Sequence, residues 1–195
     1  MSKSDPSASK KERNKQARWV VTIFLSTIAI SGTISFVSDE VMESSGIATC
    51  FVILLAIILV GILFDVIGVA VTSADEKPFH SMAARKVPGA QEAIRLLRNA
   101  ERVSSICNDV IGDICGVVSG SASATIAAQV LSSFEFRWPQ VLSLLMSALV
   151  AGLTVGGKAV GKTFAVNSCT VIVHFAGRMI HWFRHIPDWF VKKKK

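Results

Sequence analysis

The chain has 195 residues, of which 51% are hydrophobic and 18% charged, with no tyrosine and a mean hydropathy of +0.50. A soluble domain of that length carries roughly a quarter of its residues as charges spread over its surface. Here the charges cluster and long uncharged stretches separate them, which excludes an ordinary soluble globule and points to a chain dissolved in lipid. Four cysteines (Cys50, Cys107, Cys115, Cys169) lie in or beside apolar runs without a C-x-x-C pair, so they read as small buried apolar residues and not as a disulfide or zinc framework.

In chain order, residues 1–18 form a basic tail with too little apolar content to fold alone. Trp19 to Val37 is free of charge and long enough for a retained membrane span. Ile47 to Val71 is a second span, broken only by Asp65. Residues 72–102 turn polar, with Pro78 and Pro88-Gly89 as punctuation and helical periodicity around Ala90–Arg98; they predict helices lying along the membrane surface. Val103 to Phe134 is the third span, carrying Asp109 and Asp113 in its first third. Glu135 to Pro139 predicts a tight aromatic turn, and Gln140 to Gly157 the fourth span.

Residues 166–195 predict an amphipathic interfacial helix. In it His174, Arg178, His181 and His185 oppose Phe175, Met179, Trp182 and Ile186, and Lys192 to Lys195 resemble a polybasic tail for anionic lipid.

Of the 21 lysines and arginines, six lie in the N-terminal tail, six between Lys77 and Arg102, and eight from Lys158 onward, leaving only Arg137 in the other two loops. Excess base marks the cytoplasmic side. The expected fold is therefore an all-α integral membrane protein. Residues 19–165 carry four transmembrane helices, with cytoplasmic surface helices and both termini cytoplasmic. The basic balance reports topology, and no nucleic-acid partner is expected. The lack of a cleavable leader and of outer-loop glycosylation signals fits the plasma membrane of a bacterium.

Small and ionisable residues inside the spans need their own reasons. Gly112, Gly116 and Gly120, Gly152 and Gly156, and Gly157 and Gly161 recur every four residues. This spacing lets membrane helices approach closely, within the chain or in a homo-oligomer such as a dimer. Asp109 and Asp113 share one helix face beside Asn108. With Asp65 they offer a set of oxygens suited to a hard cation such as Mg2+, or else they sit hydrated at the headgroups. Asp65 and Lys158 could neutralise each other as an ion pair. Gly156 to Thr163 satisfies G-x-x-x-x-G-K-T. No strand–helix alternation surrounds it, so it does not read as a nucleotide-binding loop. No nucleophile–base pair suggests an enzyme. The histidines, His80 among them, read as interfacial.

From Phe64 to about Thr163 the chain resembles the membrane domain of the cyclin-M/CorC (CorB/CorC-type) magnesium and cobalt transporters. The matching stretches, in order, are Phe64-Asp-Val-Ile-Gly-Val-Ala70-Val-Thr-Ser, Lys86-Val-Pro-Gly89 with the helix that follows, Cys107-Asn108, and Gly157-Lys158-Ala-Val-Gly161-Lys162-Thr163-Phe-Ala165. The resemblance implies divalent-cation transport through a site that contains Asn108. Departures fall on that site. Ile67, Gly68 and Val69 stand where the family has Ser-Glu-Thr. Lys158 stands for its glutamate and Gly161 for its proline, and its regulatory modules have no counterpart among these residues. A cation at position 158 opposes a bound divalent ion by several kcal/mol. Two expectations follow: transport through an altered site, or a non-transporting scaffold or regulator of the same architecture.

Overall fold

The computed structural model describes residues 6–133 and 138–192, with side chains for 18–42, 44–133 and 138–184. Among them every regular element is helical. The order is α1 Pro6–Glu43, α2 Ile47–Ser73, α3 Lys77–Ala84, α4 Ala90–Arg98, α5 Ala100–Ser104, a π-helical segment Ser105–Gly112, α6 Asp113–Ser133, α7 Pro139–Asn167 and α8 Cys169–Lys192. Four stretches are long and apolar enough to cross a bilayer: Arg18–Met42, Ile47–Ser73, Ala100–Ser133 and Pro139–Asn167.

Several boundaries differ from the sequence reading. Helix α1 begins at Pro6, inside the segment expected to stay unfolded. A helix already nucleated by an apolar span extends into polar neighbours at small cost per residue. Helix α7 continues to Asn167 instead of ending near Gly157, because nothing between Lys158 and Ala165 breaks a helix once it is packed. The aromatic turn expected over residues 135–139 lies outside the described residues up to Arg137. Trp138 is exposed, and Pro139 opens α7, where a missing amide costs nothing. Residues 193–195 of the lysine tail, and the side chains of His185 and Ile186, also lie outside the described residues.

Helix α2 is the hub, packed against α5, the π segment, α6, α7 and α8, while α1 lies outside and rests chiefly on α6. Two buried clusters divide the bundle. At one end Met42, Cys50, Leu54, Ile58, Ala122, Ile126 and Val150 pack together. There Gln129 Nε2 donates to the Met42 carbonyl at 2.8 Å, tying α6 to the end of α1. At the other end Ala70, Val71, Phe79, Ala93, Ala165 and Val173 bring the close of α2 and α7 together with α3, α4 and α8. The Arg102 guanidinium sits 5.4 Å from the Trp19 ring centroid, so the start of the first span lies beside α5. Large apolar side chains face outward along the spans (Leu144 is 70% and Val160 73% exposed). A bilayer accepts such a surface without cost and water does not.

Phe79, fully buried, anchors α3 under the bundle. Glu76 joins α3 to α4 by accepting from Arg98 Nε at 3.1 Å, an exposed contact of small energetic weight. Helix α4 starts after Gly89, whose φ of +86° is left-handed and open mainly to glycine. It then crosses α8 at Gly177 almost backbone to backbone. A β-carbon on Gly177 would lie 2.5 Å from the Gly89 carbonyl oxygen, and one on Gly89 would lie 2.6 Å from the Arg178 Cα.

At this crossing the polar positions of α8 divide: His174 and His181 are half-buried, with His181 Nδ1 3.5 Å from Glu92 Oε1, while Arg178 is exposed; the side buried against the bundle is Val173, Ala176 and Gly177. The exposed face is the apolar one, with Phe175, Met179 and Trp182. His181 meets the Glu92 carboxylate that α4 supplies there.

Candidate functional site

The site grows from one face of α2. Gly61, Asp65 and Gly68 follow at spacings of four and three and therefore line one side of the helix. All three are buried, Asp65 to 3% exposure. Gly61 admits Cys115 of α6, since a β-carbon at Gly61 would lie 2.8 Å from the Cys115 Cβ. Gly68 leaves room for the Asn108 amide, which occupies the position a β-carbon would take. Between these two contacts, Asp65 faces the third span at Gly112: a β-carbon there would lie 3.7 Å from Asp65 Oδ1 and 3.2 Å from Lys158 Nζ.

Helix α7 supplies the cations through a ladder. Gly157 packs on Ile62 and Gly161 on Val66, where a β-carbon would come within 2.8 Å of the Val66 Cγ2. Each glycine is followed by a lysine, so the two lysines stack at i and i+4 beside that contact. Lys162 Nζ lies 3.7 Å from Asp65 Oδ2, and Lys158 Nζ donates to the Gly112 carbonyl at 3.3 Å. The Gly-Lys-x-x-Gly-Lys motif is thus a helix-packing ladder with charges at its edge. Its amides belong to an uninterrupted helix, not to a phosphate-wrapping loop.

The π-helical turn aims Asn108 at this junction. Such turns insert a residue into an α-helix and are frequent at functional sites. Asn108 Nδ2 donates to Ser104 Oγ at 3.2 Å. Its Oδ1 is buried without a hydrogen-bond donor, as is Asp65 Oδ2. An oxygen left so in a membrane interior costs kcal/mol unless a proton, water or cation satisfies it. The junction therefore presents two acceptor oxygens on facing helices, a backbone carbonyl and two tethered ammonium groups.

Of the four oxygens expected together, Asp65 and Asn108 reach the junction. Asp109 and Asp113 are exposed, and Asp109 accepts from Ser105 Oγ at 2.8 Å. Among the described residues no three acidic, histidine or cysteine side chains gather closely enough to hold a metal, so the aspartates do not form the single cluster that their spacing suggested. The π turn carries Asp109 and Asp113 on the outward side while Cys107, Val110 and Gly112 face inward. Asp65 pairs with Lys162, one turn beyond the lysine expected, and Ile67 is half-buried against the cluster that Phe79 anchors.

Of the glycines expected to pack helices, Gly112, Gly157 and Gly161 do so. Gly116, Gly120, Gly152 and Gly156 have nothing within 4 Å of a notional β-carbon. Gly61, and the packing role of Gly68 (expected only as an altered position of the ion site), are not among the sequence expectations. Their signal was the three- and four-residue spacing around Asp65. No family model matches the chain, and no curated protein or solved structure proves similar to it.

Proposed function

We propose that this is an integral membrane protein of the magnesium/cobalt-transporter type, passing a divalent cation through an altered site between α2, the π segment and α7. The observation that carries the reading is the pair of buried oxygens without a hydrogen bond, Asn108 Oδ1 and Asp65 Oδ2 (the latter held only by the 3.7 Å ion pair to Lys162), at a π-helical turn inside the bundle. Magnesium keeps several waters and needs only one or two carboxylates, which suits so sparse a set. Lys162, 54% exposed on a flexible stem, serves as the counter-ion of Asp65 and swings away when a divalent ion arrives. Both basic ends and the α3–α5 helices face the cytoplasm of a plasma membrane, following the distribution of lysine and arginine.

A second reading has its own support: both lysines already occupy the junction, and two ammonium groups oppose a divalent ion strongly. In that reading the chain is a non-transporting scaffold. The open faces at Gly116, Gly152 and Gly156 then receive a second copy, as in a homodimer. Magnesium flux into proteoliposomes decides between them. Transport predicts flux that is lost in Asp65→Asn, kept in Asp113→Ala and raised in Lys158→Glu. Absence of flux in all chains, Lys158→Glu included, leaves the scaffold; in that case Gly116→Leu should disrupt self-association in detergent.

A further inference from the structure

Beside the α4–α8 crossing lies a groove of about 560 Å³ that the ion junction does not use, lined by Pro88, Phe175, Arg178, Met179, His181 and Trp182. Its walls are almost wholly hydrocarbon, and Phe175 (62% exposed) and Trp182 (63%) carry them out onto the free face of α8. Arg178 lines it, exposed and without an ion pair among the described residues. Its backbone is fixed by the close approach of Gly89. His181 is held on the inner side against Glu92.

A polar metabolite would demand several convergent hydrogen-bonding groups. One guanidinium lining an otherwise apolar groove matches instead a molecule with a single anionic head and a hydrocarbon body. Guanidinium is the side chain best shaped for a phosphate diester. We propose that this groove binds one anionic phospholipid. The phosphate sits on Arg178 and an acyl chain runs along Phe175, Met179 and Trp182. The site is distinct from diffuse attraction by the terminal lysines, and it rests on α8 lying at the membrane surface.

Native mass spectrometry of the detergent-solubilised full chain, given phosphatidylglycerol or phosphatidylcholine, tests the site. One phosphatidylglycerol per chain should be retained in preference to phosphatidylcholine. Retention should fall about tenfold in Arg178→Gln, fall also in Trp182→Ala, recover only in part in Arg178→Lys, and persist when Lys192 to Lys195 are all glutamine. Equal retention by wild type and by a helical, folded Arg178→Gln overturns the proposal, as does displacement of the lipid by inorganic phosphate. Quenching of Trp182 by brominated phosphatidylcholine, with the other three tryptophans changed to phenylalanine, reads the placement of α8 separately. Quenching without an Arg178-dependent lipid removes the site alone, and absence of quenching removes both.

Discussion

Glycines in these helices fall into two physical kinds that identical spacing conceals. At Gly61 a new β-carbon meets the Cys115 Cβ at 2.8 Å, an atom fixed to its own backbone, so the helices must part. Gly61→Ala should destabilise the protein by about 1–3 kcal/mol, the usual cost of overpacking. Gly156→Ala meets nothing within 4 Å and gains helix propensity, so it should be neutral or stabilising by up to about 1 kcal/mol. Thermal unfolding in detergent compares the two. Asp65 is governed by charge. Removing its partner in Lys162→Gln leaves a buried carboxylate uncompensated. The cost should be about 1–2 kcal/mol, less than for a fully buried pair because Lys162 is 54% exposed. Asp65→Asn in the same chain should recover most of that loss, and additive effects of the two substitutions would show that the pair is not coupled.

At the scale of elements, α8 is held to the bundle by apolar burial and by one titratable contact. Burial alone would raise the Glu92 carboxyl. Hydrogen bonding from its own backbone and from His181, with the charges of His181 and Arg95, outweighs this and holds it below its ordinary value of 4.5. A carboxyl whose pKa is depressed on folding contributes stability above pH 4.5 and loses it as the pH falls through the depressed value. The unfolding midpoint of wild type should therefore exceed that of Glu92→Gln at neutral pH, and the two should converge in acid below that point. A constant gap would mean that the contact is steric. This contact also marks where sequence reading stops. Periodicity placed His174 and His181 on one face of a helix, but only the crossing at Gly89 and Gly177 decides that this face meets α4. Likewise the spacing of Asp109 and Asp113 was legible, whereas the π turn that directs Asn108 inward and those aspartates outward has no local sequence signature. The spans were readable because each must satisfy its own backbone in lipid, a constraint internal to the segment. The Asp65–Lys162 pairing depends on how far α7 continues past Gly157, and packing sets that length.

The bundle as a whole has a direction. The start of the first span lies by Arg102, α2 and α7 end together above α3, α4 and α8, and the turn between α1 and α2 lies at the far end beside Gln129. An antiparallel arrangement of this kind fixes which loops share a compartment whichever way it is inserted, and the bases then choose the way. In a chain whose four native cysteines are alanine, Ser44→Cys reports the far end, Ser81→Cys the α3 surface and Ser9→Cys the basic head. A membrane-impermeant maleimide applied to intact cells should label the first and reach the other two only after permeabilisation. Labelling of Ser9→Cys and Ser81→Cys from opposite sides would contradict an even number of crossings between them, and with it the placement of the ion junction within the bilayer. Labelling of both from outside would keep the bundle but reverse it. The groove on α8 would then lie in the outer leaflet, and the distribution of lysine and arginine would have to be explained by something other than insertion.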